Sequence, residues 1–236
     1  MTESLGPLIA AMFVFIGSHI FISSALVRGP LIAKLGDGRF KTVYSLIAVA
    51  AIYWVVSAFI NAPDVVYWQP HTAFKHLSLS FMLVACIFII AGLTPTNPTL
   101  VGATAGQLAK GPHGIFRITR HPMMWGFALW GILHVLANGN GASLIFFGGF
   151  AVLALVGTYQ LDRRKARTEG EAWQVYAAHT SHFPFAAMLA KRTKFKASEV
   201  GWRPVLMGFG LYLALLILHE TLFDIAPMPW VSGLFD

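Results

Sequence analysis

Charge is what this 236-residue chain has least of: Asp, Glu, Lys and Arg make up 11% of it, where a soluble domain carries about 25%. From Pro122 to Leu161 there is no charged residue at all. That shortage excludes a water-facing globule, whose surface needs ionised groups to stay solvated. Cysteine is nearly missing too. Cys86 is the single one and sits in an apolar run, so no internal disulfide and no cysteine cluster for zinc or iron–sulfur can form. Acidic residues are fewer than basic ones, 10 against 17, which leaves a formal net charge of +7. No internal repeat and no low-complexity tract is present. The opening MTESLGPL has neither a basic n-region nor a small-residue cleavage site. The first apolar run is therefore expected to be a permanent span, not a signal peptide.

What the chain does have is hydrophobic residues, 56% of the total. A membrane span needs about 20 mostly apolar residues, somewhat fewer when neighbours bury it. Six stretches qualify: 7–27, 43–60, 77–93, 122–137, 142–160 and 204–222. The expected fold is an all-α polytopic transmembrane bundle of about six spans, a single domain over 1–236, in contact with the lipid bilayer. Pro7, Pro122 and Pro204 stand near helix starts, where a missing N–H costs least. Gly36-Asp37-Gly38 marks a turn between the first two spans. Thr94-Pro-Thr-Asn-Pro98 ends the third, and Asn138-Gly-Asn-Gly141 closes spans four and five into a helical hairpin.

Lysine and arginine set the orientation. Loop 28–42 holds four, loop 94–121 three and segment 161–203 nine, while Lys75 stands alone on the other face. These three segments are expected on the cytoplasmic side and both termini outside. The positive excess then speaks to orientation and anionic headgroups, and no nucleic-acid partner is expected. Segment 161–203 is too polar to cross. Trp173, Tyr176, Phe183, Phe185, Met188 and Leu189 alternate there with small and polar residues, which predicts a cytoplasmic segment lying at the headgroup layer on aromatic anchors.

With no Asp, Glu, Lys or Arg inside the spans, the ionisable groups there or at span ends are His19, His76, His134, His219 and Cys86. An intramembrane imidazole is either a hydrogen-bonded packing group or a functional one. At helical spacing, His19 shares its face with Met12, Phe15, Ile16, Ile22, Ser23 and Leu26. His134 shares its face with Met123, Phe127, Trp130, Gly131 and Asn138. Gly131 lies one turn from His134, which reads either as a flat slot beside the imidazole or as a point of close helix approach. Two imidazoles across such a slot suit a b-type haem. Their Cα atoms are expected roughly 10 Å apart in depth at about 1.5 Å per residue. His76, His134 and His219, near the outer ends of three spans, form an alternative histidine metal site. Arg120-His121-Pro122, at the entrance to span four, is a lipid-phosphate anchor or a recognition site for an anionic group.

The stretches GSHIFISSALVRGPLIAKLGDGRFKTVYSLIA, residues 17–48, and GIFRITRHPMMWGFALWGILHVLANGN, beginning at Gly114, resemble the two signatures of the NnrU family of bacterial membrane proteins. That family is linked to nitrite and nitric oxide reductase expression in denitrifiers. It is related to zeta-carotene isomerase, an integral membrane b-haem protein that isomerises a carotenoid cis double bond according to haem redox state. The resemblance implies haem b on His19 and His134, beside Gly131, Arg120 and His121. It also implies an isomerase-like or redox role on an apolar small molecule, in the bacterial inner membrane with periplasmic termini. The isomerase carries a cysteine one turn before its second histidine, proposed to exchange as ligand on redox change; Gly131 stands there in this chain. Arg120-His121-Pro122 also resembles an element of S-adenosylmethionine-dependent membrane methyltransferases, with Glu169, Glu171 and Tyr176 as downstream partners, although the paired glutamates and the following tyrosine of those enzymes are absent. A third reading is a non-enzymatic accessory protein of a respiratory or denitrification complex.

Overall fold

The computed structural model describes residues 4–94, 97–100 and 105–228. Among the described residues the regular elements are helices, in the order α1 (Gly6–Ser23), α2 (Ala25–Leu35), α3 (Asp37–Ile60), α4 (Thr72–Gly92), α5 (Ala105–Ala109), a 3-10 turn (Gly114–Arg117), α6 (Pro122–Asn138), α7 (Gly141–Glu169), α8 (Glu171–Ala178), α9 (Ala186–Leu189), α10 (Ala197–Val200) and α11 (Trp202–Phe223). Five of them, α1, α3, α4, α7 and α11, are long and apolar enough to cross a membrane. Helix α6 has 17 residues and no charge, the short end of the spanning range. Their outer faces expose Phe13, Leu46, Leu206 and Ile217, side chains that water would not tolerate in such density but acyl chains do. The protein is a multi-pass membrane protein, and the six expected spans correspond to these six helices.

The chain divides into two compact units. The first comprises Met1–Lys75 and Phe127–Gly170, the second His76–Gly126 and Glu171–Asp236. In the first, Ala11, Met12 and Phe15 of α1 pack with Ala51 and Val55 of α3, and Ile145, Phe146, Phe150 and Leu153 of α7 close the cluster. Helix α7 meets α1 where Gly149 lies under Met12, whose Sδ is 2.5 Å from where a Cβ would stand. In the second unit Phe88 and Ala91 of α4 pack with Ile115 and Phe116 of the 3-10 turn. Leu108 packs with Trp173 and Tyr176 of α8.

Local chemistry sets the helix ends. Gly36, at φ 78°, separates α2 from α3 with a single residue, as the Gly-Asp-Gly signal predicts. The side chain of Asn140 caps α7 by accepting from the Ser143 N–H at 2.8 Å, which satisfies one of the four donors a helix start leaves open. The preceding Gly139 has φ 74°, and a Cβ on it would run into the Trp68 carbonyl. Its own carbonyl accepts from the N–H groups of Tyr67 and Trp68 at 2.9 and 3.1 Å. Gly139→Ala is expected to lower stability by about 1–2 kcal/mol, the cost of a left-handed backbone for an L-residue, read as a lower melting temperature in detergent. The Pro95–Thr96 part of the expected stop after the third span lies outside the described residues, as do the outermost residues of both termini.

Two expectations need correction. Loop 28–42 is helix for most of its length. Helices α1 and α2 break only at Ser24, which is extended at ψ 154°, and charged residues continue the helix beyond the apolar run. Lys41 pairs with Asp37 at 2.5 Å and Arg28 with Asp37 at 3.8 Å, while the Arg28 guanidinium covers the Phe40 ring at 4.9 Å. Leu26 therefore leaves the His19 stripe and is 85% exposed. Likewise α7 runs to Glu169 with 29 residues, roughly 43 Å at 1.5 Å per residue against a hydrocarbon core of about 30 Å. The helix is longer than a span needs, and its charged last turns account for the excess.

Candidate functional site

His19 and His134 both belong to the first unit, and each is held the same way. The Nδ1 of His19 lies 2.8 Å from the Phe15 carbonyl, four residues back on α1. The Nδ1 of His134 lies 2.8 Å from the Trp130 carbonyl, four residues back on α6. A carbonyl oxygen only accepts, so Nδ1 carries the proton and the lone pair of each neutral ring is at Nε2. This is the tautomer that a metal ligand needs, and the bond fixes the ring's direction as well.

Aromatic rings line both imidazoles. His19 packs on Phe15 at 4.4 Å and edge-on to Tyr44 at 5.7 Å. His134 stacks nearly parallel on Phe147, with centroids 4.4 Å and planes 17° apart, and touches Trp130 at 5.1 Å. Phe150 joins the two groups, 5.3 Å from Phe15 and 5.6 Å from Trp130. Helices α1 and α7 run parallel, because Phe15 meets Phe150 and Ser23 meets Gln160. His19 thus stands level with about residue 155 of α7, and His134 level with Phe147. At 1.5 Å per residue the depth difference is on the order of 12 Å, close to the expected one. The donor chemistry of the pair fits a haem iron, which takes imidazole nitrogen axially, and the flat apolar rings suit a macrocycle's faces.

Sequence reasoning missed part of this environment. His19 has more polar company than its own stripe suggests: the Ser23 hydroxyl donates to the Gln160 side chain at 2.9 Å and also to the His19 carbonyl, and Gln160 donates to the Ile20 carbonyl at 3.2 Å. Tyr44, Phe147 and Gln160 come from other helices, and periodicity within one helix carries no signal for them. Gly131 is a correction. The place where its Cβ would stand is taken by the Phe147 carbonyl and by Ala151. The missing side chain lets α6 and α7 meet backbone to backbone and leaves no slot beside His134.

The other candidates lie in the second unit. His219 gives its Nδ1 bond to the Ile225 carbonyl at 2.7 Å, and His76 stands exposed near the start of α4, its carbonyl accepting from Ser80 at 2.9 Å. His121 is 1% exposed and packs on His182. The Arg120 N–H bonds the Ser181 carbonyl at 3.0 Å. Trp173 and Tyr176, expected as headgroup anchors, are buried against Leu108, because α8 turns its aromatic face inward. Phe183, Phe185 and Leu189 are exposed, as anchors should be. Burial pushes the Tyr176 hydroxyl well above its ordinary value, and the nearby Arg120 charge offsets part of that. Of the acidic residues of the methyltransferase reading, Glu171 is exposed in the first turn of α8 and Glu169 pairs with Lys165 at 3.4 Å.

Comparison with known proteins gives a family and two relatives. The family described as NnrU protein matches residues 7–227. The chain is 41% identical over 81 residues to the chloroplastic 15-cis-zeta-carotene isomerase of Zea mays, covering 34% of this chain and 22% of that protein. It is 39% identical over 79 residues to the same-named protein of Arabidopsis thaliana, with the same shares, 34% and 22%. The chain thus aligns with about a fifth of the length of these relatives. No solved structure matches.

Proposed function

Because the chain belongs to the NnrU protein family, we propose that it is a b-haem membrane protein of isomerase type that turns a cis double bond of an apolar polyene to trans. The relatives' names supply the reaction class. The observation that carries the reading is the matched pair of imidazoles, each with Nδ1 spent on its own helix. His19 and His134 would hold the haem iron. When bound, haem would supply a redox-active centre beside an apolar substrate. The rotation itself gains and loses no atoms and no net electrons.

The chain's own part is holding, orienting and drying. The backbone carbonyls of Phe15 and Trp130 keep both rings in one tautomer. Phe15, Phe150, Trp130 and Phe147 exclude water and offer flat faces along which a polyene lies, and the bilayer delivers such a molecule without a polar barrier. With glycine at 131, where the resemblance implies a cysteine, His19 and His134 would be the side chains available to the iron in either oxidation state. The proposed location is a bacterial cytoplasmic membrane, and the lysine and arginine distribution supports both termini on its outer side.

A reduced-minus-oxidised spectrum of protein purified with ample haem tests this. The expected result is a six-coordinate, low-spin b-type spectrum in both states, lost in His19→Ala and His134→Ala. No Soret band in the wild type, or a band unchanged in the double variant, overturns it.

A further inference from the structure

The second unit holds another pair of histidines, and these two touch. His121 and His182 have ring centroids 5.6 Å apart with planes at 71°, and a ring nitrogen of one lies within 4.8 Å of a ring nitrogen of the other. His121 is almost fully buried, and His182 is half-buried.

The backbone around them forms one frame. The Arg120 N–H bonds the Ser181 carbonyl at 3.0 Å, and the Phe185 N–H bonds the Ile118 carbonyl at 2.8 Å. Between these two rungs the His182 carbonyl accepts twice, from the Thr119 hydroxyl at 2.8 Å and from the Trp125 indole N–H at 2.8 Å. The Thr119 hydroxyl accepts in turn from the His121 N–H at 3.3 Å. Two segments more than 60 residues apart are thus cross-braced where they carry an imidazole each. The backbone that carries the two imidazoles is thus held in place, and only the side chains need adjust to a ligand.

We propose that His121 and His182 are two ligands of a transition-metal dication of the zinc type, with oxygen ligands completing the shell. Two imidazole nitrogens at about 2.0–2.1 Å from a tetrahedral ion stand roughly 3.4 Å apart. Small side-chain rotations bring the observed pair to that separation. The ligand type decides which ion. Imidazole nitrogen is a poor ligand for the hard ions Mg²⁺ and Ca²⁺, which take oxygen. Zn²⁺ and its neighbours, which bond imidazole nitrogen directly, are accepted.

The test uses the full chain in lipid nanodiscs, stripped with a chelator, loaded with Zn²⁺ and desalted, with haem iron counted separately. One zinc per chain is expected, unaffected by excess Mg²⁺ or Ca²⁺. His121→Gln and His182→Gln should each weaken binding by on the order of 100-fold, while His76→Gln and His219→Gln leave it unchanged. X-ray absorption at the zinc edge of the wild type should count two imidazoles, and that measurement decides the matter if a variant fails to fold. No retained zinc, a shell with one imidazole or none, or binding lost in the His76 or His219 variants overturns the site and leaves His121 and His182 as a packed pair.

Discussion

Gly131→Ala is expected to destabilise the protein by about 3 kcal/mol, the upper part of the usual cost of overpacking. An added Cβ at 131 would fall on the Phe147 carbonyl oxygen, with the Ala151 Cβ at 3.1 Å and its backbone N at 3.2 Å. The obstacle is the backbone of α7, which has no rotamer to change. The two helices must part. Phe147 also stacks on His134, and Trp130 touches both Phe147 and Phe150. Parting α6 from α7 therefore loosens the aromatic wall that the proposed haem seat depends on. Thermal denaturation in detergent reads the first effect, and haem retained per chain reads the second. Gly131→Cys is the sharper variant, since it places a thiol one turn from His134, where the isomerase resemblance implies one. Here it should melt earlier than wild type and give no thiolate-type spectrum. A well-folded Gly131→Cys protein with such a spectrum would show that α7 yields more easily than its backbone contact implies.

This glycine also shows where sequence reading stops. One turn from a histidine, a missing side chain reads equally as a ligand slot or as a helix contact, and only the position of α7 decides. The spans themselves were legible because the signal is coarse. A run of about 20 apolar residues without charge has few alternatives to crossing the bilayer, and α1, α3, α4, α6, α7 and α11 all lie over such runs. Helix ends were less legible, since hydropathy marks the part of a helix in lipid and not its length. The Arg28–Asp37–Lys41 cluster and the polar end of α7 carry helix well past the apolar residues. The histidines stood out by chemical type in a charge-free stretch, but part of their ring contacts, Tyr44 against His19 and Phe147 against His134, comes from other helices. His182 gave no signal of its own. It lies in a segment whose aromatics read as headgroup anchors, and half of those turned out to face inward.

Arg117→Ala is expected to lower the melting temperature more than Gly139→Ala does, with a pH dependence that identifies the cause. Arg117 holds three parts of the second unit together. Its Nε and Nη2 donate to the two carboxylate oxygens of Glu199 at 2.7 and 3.0 Å, and its Nη1 donates to the Thr193 hydroxyl at 3.0 Å. Glu199 also accepts from the Gly114 N–H at 3.2 Å and pairs with Lys196 at 3.2 Å. Gly114 itself has φ 53°, and its absent Cβ leaves room for the Glu199 backbone carbonyl. The hydrogen bonds from Arg117 hold the Glu199 carboxyl at about 2, down from its ordinary 4.5. A carboxylate with a lowered value stabilises the fold above the unfolded value and loses that stabilisation as pH falls towards the folded one. The melting-temperature gap between wild type and either Arg117→Ala or Glu199→Gln should thus be constant from about pH 8 to about pH 5 and close as pH approaches about 2. Arg117→Lys should recover little of the gap, because a single ammonium replaces a planar fork matched to both oxygens and to Thr193. A gap that persists unchanged at the acid end would mean that Arg117 acts through its packed stem, with Glu199 a bystander.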